Sequence, residues 1–166
     1  MARHGCAALA LLCASSLPLP LAAVTSQSFQ VSATVTAGCL VVGGVSSYGN
    51  LNFGSRSALA TGTVQVALTG GVQLQCTPGV TLNMTVDGGQ YNSGGRHLQL
   101  TTGSNQIAYQ LFRDAAFSQS LGIGQSVAVA YSDANNISLP IYGQVQLPGN
   151  QPGGTYSDVL QVQLSW

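Results

Sequence analysis

The sequence predicts an all-β sandwich, and three observations carry that reading. Apolar residues recur at every second position in short runs. Turn chemistry rich in glycine separates those runs. No stretch shows the three- and four-residue apolar spacing, with caps, that marks a helix.

Taken in order, residues 1–23 read as an export signal. Arg3 and His4 give a short basic start, Ala7 to Ala14 an apolar run, and Leu21-Ala22-Ala23 a small-residue exit. Pro18 and Pro20 cut the run short of the ~20 apolar residues a membrane span needs. No later run is long enough to cross a bilayer. The chain that follows, about 143 residues, suits one domain with a sizeable core.

Residues 29–41 carry Phe29, Val31, Ala33, Val35, Ala37, Cys39 and Val41 on one phase. Gln30, Ser32, Thr34 and Thr36 lie on the other. This alternation predicts a strand with one buried face. Following an export signal, it is expected to begin the secreted chain, free to complete its own sheet or a neighbour's.

Val64, Val66 and Leu68 share parity with Val72, Leu74 and Cys76 across Gly70-Gly71. A tight hairpin there would mix the two faces, so one long strand kinked at the glycines is expected. Val80, Leu82, Met84 and Val86 form the next strand, stopped by Asp87-Gly88-Gly89. Leu98 and Leu100, then Ile107, Tyr109 and Leu111, then Val127, Val129 and Tyr131 continue the pattern. Ile137, Leu139, Ile141, Val145 and Leu147 follow, with Pro140 predicting an edge position or a bulge. Tyr156, Leu160, Val162, Leu164 and Trp166 make a last strand that runs to the final residue.

The charge inventory excludes whole classes of function. The chain has no Lys and no Glu; beyond the signal only Arg56, Arg96, Arg113, Asp87, Asp114, Asp133 and Asp158 are charged. Nucleic acid needs clustered cations and is excluded as a partner. Surface charge usually keeps soluble monomers apart. A near-neutral β chain rich in Gly, Gln, Asn, Ser and Thr is easier to understand as part of a polymer.

Chemistry finds little to work with. His97 is the single histidine beyond the signal, and its alternation with Leu98 places it on a solvated face. A catalytic triad would have to combine it with one of four scattered aspartates, so no enzyme is expected. No His/Cys/Asp spacing matches a metal shell, and neither metal nor cofactor is expected. Asp87-Gly88-Gly89 reads as a turn rather than a calcium loop. Tyr48, Tyr91 and Phe117 fall outside the strands and are expected to cap the sandwich.

Cys39 and Cys76 remain once the signal is set aside, in an oxidising compartment with no third thiol to compete. Both fall on the apolar phase of their strands, which predicts a structural disulfide.

Several stretches in fixed order make the chain recognisable. They are Thr36-Ala37-Gly38-Cys39, Leu51-Asn52-Phe53-Gly54, Cys76, Val86-Asp87-Gly88-Gly89, Tyr109 to Ala116, Pro140-Ile141-Tyr142-Gly143 and Gly154-Thr155-Tyr156-Ser157-Asp158. With them the chain resembles the spore coat protein U family, which includes subunits of archaic chaperone–usher pili.

The resemblance implies an incomplete immunoglobulin-like β-sandwich, 37–166, completed by donor-strand complementation. It implies a donor extension over 24–36, with Phe29, Val31, Ala33 and Val35 inserted into a neighbour. The wall of the acceptor groove would carry Leu160, Val162, Leu164 and Trp166. The partners implied are a periplasmic pilus chaperone, an outer-membrane usher and neighbouring pilin subunits, with assembly on the cell surface. The family's tip subunits carry a further domain, so a shaft or adaptor position is expected.

The residues also leave two other readings. One is a secreted coat or matrix protein that folds alone, its N-terminus paired with its own last strand. The other is a carbohydrate-binding module that uses Tyr91 or Phe117.

Overall fold

A computed structural model describes residues 27–43 and 48–166. The expected export signal and residues 24–26 of the expected donor segment lie outside the described residues. The chain divides into two units, Met1–Thr34 and Val35–Trp166. In the first, residues 27–34 contain no strand, and Phe29 and Val31 are 85% and 82% exposed.

Among the described residues, the second unit is built from ten strands and no helix. They are β1 (Cys39–Val41), β2 (Thr61–Ala67), β3 (Leu74–Cys76), β4 (Asn83–Val86) and β5 (His97–Leu100). The rest are β6 (Gln106–Phe112), β7 (Val127–Ala128), β8 (Tyr142–Pro148), β9 (Tyr156–Ser157) and β10 (Val162–Ser165). All pairings are antiparallel. One sheet runs β2-β8-β6-β5-β9, a second β10-β4-β7, and β1 pairs with β3 in a third.

The alternation read from the sequence sets the faces. Met84 and Val86 of β4, Ile107, Tyr109 and Leu111 of β6, and Val145 of β8 meet in one apolar core. Intervening residues point outward, where neutral side chains bridge strands instead of ions. Thr63 Oγ1 donates to Gln146 Oε1 at 2.6 Å and Gln65 Nε2 to Gln144 Oε1 at 2.8 Å, each across a directly opposed pair. His97 lies opposite Ala108 on this outward face, half-buried rather than fully solvated.

Three segments that alternate without interruption in sequence are divided between sheets. At Gly70, with φ +65°, the chain leaves β2 for β3, so no hairpin forms there. The expected single kinked strand is instead two strands in different sheets, with parity preserved. Ile137 bridges Leu74 beside β3, and after Pro140 the chain enters β8. Pro140 therefore marks a break between sheets, and β8 is central, between β2 and β6, not an edge. The expected final strand also divides: β9 pairs with β5, β10 pairs with β4, and Asp158–Gln161 crosses between them.

Cys39 and Cys76 lie directly opposite each other in the β1–β3 pair and are bonded, 4.0 Å apart at Cα and 37 residues apart in sequence. The disulfide expected from the sequence is present.

Phe117 packs edge-on against Phe112 and Tyr142, with ring centres 5.5 and 5.9 Å away. Asp114 shapes its loop by accepting from the Ser118 and Gln119 N–H groups and the Ser118 hydroxyl. Desolvation acts upward on this carboxyl, but the hydrogen bonds together outweigh it and hold its pKa below the usual carboxylate range. A depressed folded pKa gives stability that is present above the unfolded value, ~3.9, and is lost as pH falls through the folded one. In an acid titration followed by NMR, the Ser118 and Gln119 amide signals are expected to hold their positions through pH ~4 and move only below it.

Candidate functional site: an open sheet edge over an apolar cleft

Among the described residues, β10 pairs on one side only, with β4. The Gln161 N–H donates to Asp87 Oδ1 at 2.9 Å, and its carbonyl accepts from the Asp87 N–H at 3.1 Å. Backbone groups alternate sides along a strand. With Gln161 turned toward the β4 side, the N–H and C=O of Leu160, Val162 and Leu164 point to the open edge. Their side chains are half-buried against the core.

Beside this edge the two large sheets do not close over their core. A cleft of about 460 Å³ lies between Tyr48, Leu51 and Phe53 on one bank and Leu160 and Val162 on the other, with Leu111 at its floor. A second, about 600 Å³, continues past Phe53 over Val64, Val145 and Leu147. Leu51, Phe53, Leu98 and Asp158 border both. Apolar side chains under a row of unpaired backbone groups are what an added strand would cover.

The residues expected at the groove are only partly together. Leu160 and Val162 line the cleft, and Leu164 is half-buried beyond it. Trp166 is 58% exposed, its Nε1 3.6 Å from where a side chain on Gly38 would begin. Residues 27–36 contain no strand, Ala33 is exposed, and Val35 is 88% exposed. Tyr48, expected as a cap, is part of the cleft wall.

Alternation gave no hint of a polar network at the end of the cleft. Arg96, only 5% exposed, donates to the carbonyls of Leu121 (2.7 Å), Asp87 (2.8 Å), Val86 (3.0 Å) and Gly122 (3.4 Å). Burial lowers its pKa, and the nearby Tyr109, Asp87 and Asp158 oppose that shift. The Tyr109 hydroxyl donates to Asp158 Oδ2 at 2.7 Å, and Asp158 Oδ1 accepts from the Gln90 N–H at 2.8 Å. Burial, then the bond to Asp158, pushes the phenol well above its usual pKa. Gly89, with φ +80°, makes the close approach possible, because a Cβ there would lie 2.0 Å from Asp158 Oδ2.

The signal that could have found this network was in the sequence. Three of the recognised stretches, those holding Asp87, Tyr109 and Asp158, converge on it, with Arg96 beneath.

No curated protein matches the chain. Among solved structures, its fold is similar to a chain in the chaperone–tip adhesion subunit pre-assembly complex, CsuC–CsuE, from archaic chaperone–usher Csu pili of Acinetobacter baumannii. That match has a TM-score of 0.55 and 15% identity, over 80% of this chain and 41% of that one. A chaperone–tip adhesin complex of CFA/I fimbriae biogenesis matches with a TM-score of 0.47 and 14% identity, over 78% of this chain and 41% of that one. The chain thus spans less than half the length of each. The family model for the Spore Coat Protein U domain matches residues 25–163, and the chain belongs to that family.

Proposed function

We propose that the chain is a structural, non-catalytic subunit of a surface pilus, joined to its neighbours by strand donation. The observation that carries this reading is the outward row of backbone groups on β10 above an unclosed apolar cleft. Phe29, Val31, Ala33 and Val35, exposed and spaced for one face of a strand, are the matching donor side chains. Burying each large one in a neighbour's cleft is worth about 1.5–3 kcal/mol. A joint that completes a sandwich opens only as fast as that sandwich unfolds.

The position of Gly38 supports one polarity. This chain's extension leaves its domain beside Trp166. An incoming strand parallel to β10 would bring the next domain to that same end. An antiparallel strand brings it to the Asp158 end, leaving a head-to-tail chain free to grow.

A periplasmic chaperone would cover the β10 edge before assembly, and an outer-membrane usher would exchange it for the next donor. A chain with both a donor and an acceptor fits a shaft or adaptor position, and the fibre would serve adhesion or biofilm formation. The solved complex of similar fold, which pairs a pilus subunit with a chaperone, supports the chaperone partner.

Deleting residues 24–36 tests the reading. The truncated chain is expected to bind chaperone and accept a donor, yet fail to attach itself to another acceptor. Polymer built from the truncated chain alone, seen by electron microscopy, would show that the donor lies elsewhere.

A further inference from the structure

The polar network at the end of the cleft has no part in a simple account of strand addition, in which apolar side chains fill a groove. We infer that Asp87, Tyr109 and Asp158, fixed from below by Arg96, are positioning residues. They hold the empty acceptor edge in the shape a donor requires. This rests on the cleft being the acceptor groove.

The segment that forms the groove wall must leave one sheet after Ser157 and join the other at Val162. With no strand on its outer side, the crossover sets where Leu160 lies, and Val162 is placed by the crossover together with its pairing to Val86 of β4. Five polar contacts fix that crossover. Asp87 holds Gln161 at both its N–H and its carbonyl, while the Gln90 N–H meets both Asp158 Oδ1 and the Val159 carbonyl. Tyr109 reaches across from β6 to the other carboxylate oxygen of Asp158. The crossover is thereby tied to both large sheets at once, and Leu160 is turned with its backbone outward. Arg96 keeps the end of β4, and Asp87 just beyond it, against the 121–122 loop.

Such a device acts on the empty groove. Once a donor strand lies along β10, its own ladder fixes the same backbone, so the network should govern how fast a joint forms more than how firmly it holds. The test uses full-length subunit recovered with its periplasmic chaperone, which must uncover the β10 edge before a donor can lie along it, so the joining rate includes the step at which the edge is empty. An acceptor carrying Asp158→Ala, Asp158→Asn or Tyr109→Phe is mixed with wild-type donor subunit. Joining is timed by the appearance of dimer that resists detergent, and the finished dimer is melted.

Asp158→Ala is expected to slow joining at least about tenfold, the scale of hydrogen bonds to a charged group. Tyr109→Phe, which keeps the ring and loses one bond, should slow it by about 2- to 10-fold. Asp158→Asn, which can still accept from Gln90 and pair with the Tyr109 hydroxyl, should stay within about threefold of wild type. The finished dimers should melt close to wild type. Joining rates that stay within twofold for both Asp158→Ala and Tyr109→Phe would overturn the inference, as would a rate loss matched by an equal loss in the finished joint. If Asp158→Ala does not fold, Tyr109→Phe decides alone. A donor lacking residues 24–36 separates the two levels: if it joins at the wild-type rate, the strand-donation reading falls. If it fails to join while the acceptor variants join normally, only the positioning role falls.

Discussion

Replacing Cys39 and Cys76 together by serine is expected to lower the stability of the domain by about 4 kcal/mol. The cross-link closes a loop with a sequence separation of 37. On the chain-entropy model, losing such a closure returns that much freedom to the unfolded chain. For a domain of this size the melting temperature should fall by roughly 10 °C. The local structure offers little to offset the loss. β1 is three residues long and, among the described residues, pairs only with β3. Around the bonded cysteines, the Gly38 N–H donates to Thr77 Oγ1, the Thr77 N–H to the Gly38 carbonyl and the Cys76 N–H to the Ala134 carbonyl. Beyond stability, β1 is the root of the extension proposed to link subunits, so fraying there would loosen the fibre where it is pulled. Scanning calorimetry of oxidised and serine-substituted subunits in the joined state checks this. Coincident melts would show that packing alone holds β1 in place.

Arg96→Met should be the most damaging single substitution, costing at least about 3 kcal/mol. Methionine fills similar space but leaves buried carbonyls without their donor, and each orphaned group costs about 1–3 kcal/mol. The Val86 carbonyl keeps the Gly124 N–H at 2.9 Å, whereas those of Leu121 and Asp87 lose their short bonds. Arg96→Lys should recover only part of the loss, since one ammonium cannot span four carbonyls as a planar fork does. Urea unfolding gives the magnitudes. A methionine variant within about 1 kcal/mol of wild type would mean that water or a shifted loop replaces the guanidinium. Because Arg96 lies under β4 and the crossover, hydrogen exchange in the variant should rise first at Gln90 and Gln161, whose amides bind Asp158 and Asp87.

The two cases differ in how far the sequence disclosed them. Cys39 and Cys76 declare themselves through scarcity and through the parity of their strands. Arg96 gives no such sign. It stands beside a histidine in a polar stretch that reads as surface, and its burial follows from carbonyls contributed by residues 86, 87, 121 and 122. Asp87 and Asp158 likewise read as turn residues. Their joint role exists only because Gly89 lets two distant turns approach.

By itself the sequence determined which side chains face inward, from Val64 through Leu164, and which two sulfurs meet. Alternation is a local property of extended backbone, so it persists whichever sheet a segment joins. Only the tertiary structure decided where the chain changes sheets, at Gly70, Pro140 and Asp158–Gln161, and therefore which strand is left with an unpaired side. Pairing depends on segments distant in sequence competing for the same hydrogen bonds, and no local pattern records the outcome. The open margin of β10 is a consequence of that competition.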